Sequence, residues 1–249
     1  MASTGSAPGP VGRGGDHLGV GVAPRRHPTG GTRVIEAVIF DMDGLLVDSE
    51  PVWFRARVDL MEQHGATWTE DDQRAMAGVH TNIWVEALGR KLDGALSPQQ
   101  IFDGIVNRMC DYYRRGEVPI LPGASEAAAA CVERCRVGLA SGSPQRLIDA
   151  CLTGAGWTQY FECLLSSDEL ERGKPAPDVY LEIMRRMGLD PATTAVIEDS
   201  GAGITAGKAA GAKVVAVPNV HTNPGEQVLA LADARIGTLH ELPAALAAL

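Results

Sequence analysis

Short apolar runs alternate with longer segments of helical spacing along most of the chain. The runs are typical of strands buried on both faces of a parallel sheet. They lie at residues 37–40, 137–140, 163–165, 195–197 and 213–217. Helical patterns are predicted at residues 144–154, 177–187, 202–210 and 239–249. This alternation predicts an α/β fold with a Rossmann-like parallel sheet as its core.

One long segment, residues 49–118, interrupts the alternation. Its apolar positions follow helical spacing, as at Val52 and Ala56, and it contains no convincing strand. We therefore predict a small all-helical cap domain over residues 49–118, inserted after the first strand. The α/β core domain would then consist of residues 33–48 and 119–249. A helical lid above the first strand could exclude water and select a substrate.

The first 32 residues differ in composition from the rest of the chain. Residues 1–32 are rich in Gly, Pro, Ser and Arg and lack the apolar central run of a signal peptide. Arg25 and Arg26 are followed by a polar segment where a twin-arginine signal would be apolar. We predict a disordered tail here, and no stretch of the sequence has the length of a membrane-spanning helix.

Composition narrows the classes of partner and compartment. The chain has 249 residues, of which 45% are hydrophobic, and a formal net charge of -9. Nucleic acid and membrane surfaces are therefore not expected partners, because both need a basic face. The cysteines are odd in number and scattered, which favours a reducing, cytoplasmic location. They are Cys110, Cys131, Cys135, Cys151 and Cys163.

Two aspartates come directly after the first predicted strand. Asp41 and Asp43 stand one residue apart, and Gly44 then allows a sharp turn. Two carboxylates at the end of a buried strand repel each other unless a cation lies beside them. The usual cation is Mg²⁺, which prefers oxygen ligands. An aspartate at such a site can also attack phosphorus and carry an aspartyl-phosphate.

Three further polar motifs follow other predicted strands or lie in the loops beyond them. Ser141 and Gly142 could hold phosphate oxygens, and Lys174 lies in a turn between prolines. Glu198 and Asp199 offer two more acids for a cation. Because the carboxyl ends of parallel strands meet at one edge of a sheet, we expect all four motifs to converge there.

Each motif alone has an ordinary structural explanation. Paired aspartates can cap a helix or form surface ion pairs, and Ser141 can belong to a turn. Lys174 can be solvated, and Asp199 or Ser200 can cap the next helix. The conjunction of the four motifs in one order favours a catalytic site over these explanations.

At these residues the chain resembles the haloacid dehalogenase-like (HAD) hydrolase superfamily. Residues 41–51 match its first motif, and the second, third and fourth motifs are matched by Ser141, Lys174 and Glu198-Asp199-Ser200. The resemblance extends over residues 34–249, and the insertion resembles the helical cap of the β-phosphoglucomutase-like branch. Within that branch, residues 49–53 and 138–144 look most like the sugar and hexitol phosphate phosphatases.

The resemblance implies a role for each motif residue. Asp41 would attack phosphorus, and Asp43 would protonate the leaving oxygen and then activate water. Ser141 and Lys174 would stabilise charge on the transferring oxygens. The implied Mg²⁺ ligands are Asp41, the backbone carbonyl of Asp43, Asp199 and, directly or through water, Glu198.

The sequence therefore predicts a Mg²⁺-dependent phosphatase of small phosphorylated metabolites, such as sugar or polyol monophosphates. Two alternatives are a sugar-phosphate mutase and a non-catalytic phosphometabolite-binding protein on the same fold. The mutases of this branch carry a histidine where this chain has Trp53, and basic residues where it has Thr81 and Met109. This departure favours the phosphatase. Glu50, Trp53 and His80 are the candidate substrate contacts of the cap, and we expect a monomer.

Overall fold

The computed structural model describes residues 34–76, 81–219 and 222–249. The predicted tail, residues 1–32, lies outside these ranges, as does the candidate substrate contact His80. Within the described ranges, each helix is too short or too polar to span a lipid bilayer.

A six-stranded parallel sheet forms the centre of the fold, and every pair of neighbouring strands is parallel. The strand order is β3-β2-β1-β4-β5-β6. The strands are β1 (Ala37–Phe40), β2 (Arg136–Ser141), β3 (Cys163–Ser166), β4 (Thr194–Glu198), β5 (Lys213–Ala216) and β6 (Ala234–Arg235). The predicted α/β fold with a parallel sheet is confirmed.

Over its described length, the insertion between β1 and β2 consists of helices joined by loops. Its helices are α1 (Glu50–Gln63), α2 (Glu70–Ala75), α3 (Thr81–Lys91) and α4 (Pro98–Arg114). The chain enters and leaves the insertion side by side, because Val47 and Ile120 form an antiparallel bridge. Helix α4 packs along the helix that follows β2, where Arg146 Nη1 pairs with Asp103 Oδ1 at 3.1 Å. The division into a cap at residues 49–118 and a core stays a prediction.

The remaining helices cover both faces of the sheet. They are α5 (Ala124–Val132), α6 (Gln145–Ala155), α7 (Asp178–Met187), α8 (Gly201–Ala209), α9 (Glu226–Leu229) and α10 (Leu242–Ala247). Side chains alternate along β1: Val38 and Phe40 belong to one apolar cluster, with residues of α5 and α6, and Ile39 belongs to a second, with residues of α7 and α8. All four residues of β1 are buried, and the strand order places its carboxyl end near the middle of the sheet.

Three elements were absent from the sequence prediction, and one differs. Helix α9 has only four residues, which is too short to show helical spacing. Strand β6 has two residues, too few to show any alternation, and α5 is so rich in alanine that it shows no periodic large side chains. The predicted terminal helix begins as a 3₁₀ turn, Leu239–Glu241, before α10. Pro243 accounts for this break, because proline has no backbone N–H to donate but is tolerated in the first turn of an α-helix.

Candidate active site

Asp41 extends the central strand by one residue and turns its carboxylate into a cleft. Its backbone N–H donates to Ile197 O at 3.1 Å, which continues the ladder between β1 and β4. Its Oδ1 accepts a hydrogen bond from Lys174 Nζ at 2.7 Å, and the residue is only 6% exposed. Asp41 is thus a nearly buried carboxylate with a fixed cation beside it.

Lys174 lies between two carboxylates. Its ammonium donates to Asp41 Oδ1, to Glu198 Oε1 at 2.6 Å and to the carbonyl of Ala140 at 3.1 Å. Burial opposes the charge, but the carboxylates of Asp41 and Glu198 outweigh it and hold the pKa of Lys174 well above its usual value. The solvated alternative for Lys174 is wrong, since its side chain is 11% exposed.

Glu198 is fully buried, and hydrogen bonds occupy both of its carboxylate oxygens. Oε1 accepts from Lys174 and from the hydroxyl of Tyr180 at 2.5 Å. Oε2 accepts from the backbone N–H and the hydroxyl of Ser200, at 3.2 and 3.0 Å. Ser200 also caps α8, because its Oγ accepts from Gly203 N at 3.0 Å. Glu198 is therefore anchored by four donors.

One carboxylate oxygen of Asp199 is buried without a hydrogen-bond partner in the described part of the chain. Its Oδ2 accepts from Asn219 Nδ2 at 3.1 Å, whereas Oδ1 finds no hydrogen bond among the described residues. A buried acceptor without a partner is costly, and an unseen ion is one explanation for it. Gly44 lies against this carboxylate with φ +78°, and a Cβ there would collide with it.

Three of these carboxylates form a compact group that fits a hard divalent cation. One oxygen each of Asp41, Glu198 and Asp199 lie within 4.8 Å of one another. Burial raises the pKa of Asp41 to about 7, against the opposing charge of Lys174, and burial also raises the pKa of Asp199 well above its usual value. A cation among oxygen ligands would favour the ionised carboxylates. The residues present therefore fit Mg²⁺.

The carboxylate of Asp43 accepts hydrogen bonds from three hydroxyls. Its Oδ1 accepts from Ser49 Oγ at 2.6 Å, and its Oδ2 accepts from Ser143 Oγ at 2.7 Å and Ser141 Oγ at 3.1 Å. The sequence analysis predicted that Asp43 contributes its backbone carbonyl to a metal site. The hydrogen bonds of its side chain do not test that prediction.

Ser141 is fully buried and belongs to the turn after β2. Its Oγ accepts from Ser143 N at 2.9 Å while it donates to Asp43. The next two residues, Gly142 and Ser143, line the cleft. The sequence analysis did not name Ser143, although it lies in the same short Ser-Gly-Ser segment and could have been proposed from it.

The cleft is a cavity of about 770 Å³ between the sheet edge and the insertion. Its sheet side includes Asp41, Asp43, Gly142, Ser143, Lys174 and Asp199. Its insertion side includes Glu50, Trp53, Phe54, Arg57, Gln73 and Trp84. The structure thus places the predicted contacts Glu50 and Trp53 on the wall opposite Asp41, together with residues that were not predicted.

Trp53 lines this wall mainly as a packing residue. It is 7% exposed, and its ring centroid lies 5.9 Å from that of Trp84. The basic positions expected of a mutase are occupied otherwise: Thr81 Oγ1 donates to Asp168 Oδ2 at 2.8 Å, and Met109 is fully buried. Arg57 could have been found from sequence, because Glu50, Trp53 and Arg57 recur at spacings of three and four residues.

Comparison with known proteins gives one family. The family model described as haloacid dehalogenase-like hydrolase matches residues 35–211. Hexitol phosphatase B of Escherichia coli (strain K12) is 35% identical over 215 residues, which cover 85% of this chain and 96% of that protein. A phosphorylated carbohydrates phosphatase of Thermotoga maritima is 33% identical over 181 residues, covering 71% of this chain and 82% of the relative.

The fold is also similar to that of solved structures. A putative β-phosphoglucomutase from Thermotoga maritima superimposes with a TM-score of 0.70 at 30% sequence identity. The match covers 86% of this chain and 99% of that protein.

Proposed function

The chain belongs to the haloacid dehalogenase-like hydrolases, and from this premise we propose that it is a Mg²⁺-dependent phosphatase of sugar or polyol monophosphates. The predictions of this family and of a phosphatase are confirmed by the family match and the phosphatase relatives. The observation that carries the proposed mechanism is the position of Asp41. It is held by Lys174 at 2.7 Å and faces a cavity large enough for a small metabolite.

The proposed reaction begins with attack by a carboxylate oxygen of Asp41 on the phosphorus of the substrate. The new P–O bond forms as the bond to the sugar or polyol oxygen breaks, and Asp43 gives that leaving oxygen a proton. Asp43 lies two residues beyond the nucleophile and lines the same cavity. The free alcohol then departs from an aspartyl-phosphate on Asp41.

In the hydrolysis of the aspartyl-phosphate, Asp43 acts as a general base instead of a general acid. Its carboxylate takes a proton from water as the water oxygen attacks phosphorus, and the bond between phosphorus and Asp41 breaks. The products are inorganic phosphate and the original Asp41 carboxylate. The hydroxyls of Ser49, Ser141 and Ser143 support Asp43, since all three donate to its carboxylate. Lys174 stabilises the negative charge that builds up beside Asp41.

The cation would be held by Asp41, Asp199 and the backbone carbonyl of Asp43. When bound, Mg²⁺ would neutralise charge on the phosphoryl oxygens and orient them for in-line attack. Glu198 already accepts four hydrogen bonds, which favours a contact through water over direct ligation. Oδ1 of Asp199, which has no hydrogen-bond partner among residues 34–76, 81–219 and 222–249, supports its assignment as a direct ligand.

Removing divalent cations with EDTA is expected to abolish turnover, and added Mg²⁺ is expected to restore it. Ca²⁺ should inhibit, because its larger and more flexible coordination shell would disturb in-line geometry. Mg²⁺ should also raise the melting temperature, since it binds the folded state. The variant Asp199→Asn should lose this rise, and Asp111→Asn, at an exposed carboxylate paired with Arg114, should keep it. Full turnover in excess EDTA would contradict the metal requirement.

The proposed substrate class rests on the relatives and on the cavity wall. Two relatives are named as phosphatases of hexitols and of phosphorylated carbohydrates. The insertion contributes both tryptophans and polar groups to the wall, as a polyhydroxylated substrate requires. A mutase is disfavoured, because an indole at position 53 carries only an N–H donor and does not exchange protons at neutral pH.

Steady release of inorganic phosphate is expected from hexose and hexitol monophosphates, without any bisphosphate activator. The measurement compares phosphate release with the formation of glucose 6-phosphate from β-glucose 1-phosphate. Faster formation of the isomer than of phosphate would establish the mutase instead. Absence of turnover on these substrates and on p-nitrophenyl phosphate would support the non-catalytic alternative.

A further inference from the structure

We propose that Arg57, Gln73 and Glu50 form a subsite that binds hydroxyl groups of the substrate at a distance from its phosphoryl group. We call these three residues the hydroxyl subsite. It would make the enzyme selective for monophosphates with a polyhydroxylated carbon chain. This inference rests on the proposed function, which it deepens by naming the residues that choose the substrate.

Arg57 is a buried cation with unused donors in the cavity wall. It is 4% exposed and lines the cavity, and its Nη1 donates to Gln73 Oε1 at 2.7 Å. Among the described residues, Nη1 alone of its three guanidinium nitrogens finds an acceptor, and Nε is buried without one. Buried donors without acceptors are costly. Nε is enclosed by protein, so Nη2 is the donor available to a ligand oxygen in the cavity.

Gln73 joins this guanidinium to a carboxylate. Its Oε1 accepts from Arg57 and from Trp68 Nε1 at 3.2 Å, and its Nε2 donates to Glu50 Oε2 at 3.2 Å. These hydrogen bonds identify which terminal atom of the Gln73 side-chain amide is the oxygen and which is the nitrogen. Because Glu50 and Arg57 lie seven residues apart on α1, they share one face of that helix. The cavity wall therefore presents a donor and an acceptor held together by one amide.

Two indole rings restrict the orientation of the guanidinium. The central carbon of Arg57 lies 5.0 Å from the ring centroid of Trp53 and 5.9 Å from that of Trp84. Contacts of this kind favour a guanidinium over an aromatic face. Burial lowers the pKa of Arg57 to about 10, against the carboxylate of Glu50, so it stays charged at neutral pH. The subsite is thus held in place by packing before any ligand binds.

The chemistry of the subsite fits hydroxyls better than a second anion. A hydroxyl both donates and accepts, and so can use Glu50 and Arg57 together. A second phosphate or a carboxylate could use only Arg57 and would be repelled by Glu50. A site built to bind hydroxyls discriminates strongly against substrates that lack them, because its own polar groups are left unpaired.

The test compares Arg57→Met with wild type on sorbitol 6-phosphate and on p-nitrophenyl phosphate. We expect kcat/KM for sorbitol 6-phosphate to fall at least tenfold, mainly through KM. We expect kcat/KM for p-nitrophenyl phosphate, which has no hydroxyl chain, to change less than threefold. Gln73→Leu should shift the same ratio in the same direction, because Gln73 positions Arg57. Arg55→Met is the matched control on the same helix, since Arg55 is half-exposed, pairs with Glu117 and should leave both values unchanged.

Three outcomes would overturn the subsite. One is an equal fall on both substrates, which would make Arg57 purely structural. Another is an unchanged ratio in both Arg57→Met and Arg57→Lys; the lysine variant keeps the charge and serves if methionine prevents folding. The third is a wild-type preference for 6-phosphogluconate over sorbitol 6-phosphate that Arg57→Met removes, since Arg57 would then bind an anion. An inactive wild type would instead refute the proposed function.

Discussion

Replacing Asp41 with asparagine is expected to lower turnover by about four orders of magnitude while the fold is retained. The amide has nearly the same shape as the carboxylate but cannot act as the attacking nucleophile. It would also remove one oxygen ligand of the proposed cation site. Turnover on p-nitrophenyl phosphate and the melting temperature are the measurements.

The fold should tolerate this change because the carboxylate of Asp41 is itself costly to bury. Burial raises its pKa to about 7, which shows that the surroundings disfavour its charged form. Lys174 loses one charged partner in the variant but keeps Glu198 at 2.6 Å. The matched control is Asp93→Asn at an exposed turn with φ 49°, where asparagine is well tolerated. Activity of Asp41→Asn within about tenfold of wild type, or ~1.4 kcal/mol, would be too high for a nucleophile.

The substitution Gly203→Ala is expected to destabilise the protein by about 3 kcal/mol and to lower turnover at least tenfold. Gly203 lies in the first turn of α8, directly against the carboxylate of Glu198. A Cβ there would approach the carboxyl group more closely than real Cβ atoms are ever found. Since Glu198 is buried and bonded to Lys174 and Tyr180, it can move only by breaking those bonds. For a chain of this length, the melting temperature should fall by about 6 °C or more.

The control for this prediction is Gly89→Ala in the last turn of α3. A Cβ at Gly89 would meet Ile101 at 3.5 Å, which is an ordinary contact. Alanine favours a helix over glycine by up to ~1 kcal/mol, so this variant should be as stable as wild type or more so. Equal melting temperatures for Gly203→Ala and wild type would mean that the first turn of α8 has room beside Glu198.

The sequence by itself predicted five of the six strands, the family and the convergence of the four motifs. The run Ala37–Phe40 is apolar throughout, which is typical of a strand buried on both faces. Parallel strands end at one edge, so residues that follow them meet there whatever the lengths of the intervening segments. This is why the sequence could predict that Asp41, Lys174 and Glu198 lie close together, although up to 157 residues separate them along the chain. Their catalytic roles stay predictions.

Only the tertiary structure decided which partner each polar group takes. Asp43 accepts from Ser143, a hundred residues away, and Tyr180 on α7 donates to Glu198 at the end of β4. Such bonds depend on distances and rotamers across packed elements, and no periodicity in the chain records them.

The insertion shows most clearly that contacts between helices could not be predicted from the sequence. Its sequence indicated helices, and the spacing on α1 places Glu50 and Arg57 on one face. Gln73, however, comes from α2, and the angle at which α1, α2 and α3 pack determines whether it can join that pair. Helix packing depends on the fit of side chains from all three helices at once. The composition of the cavity wall opposite Asp41 was therefore decided by tertiary structure, whereas the position of Asp41 itself followed from one strand.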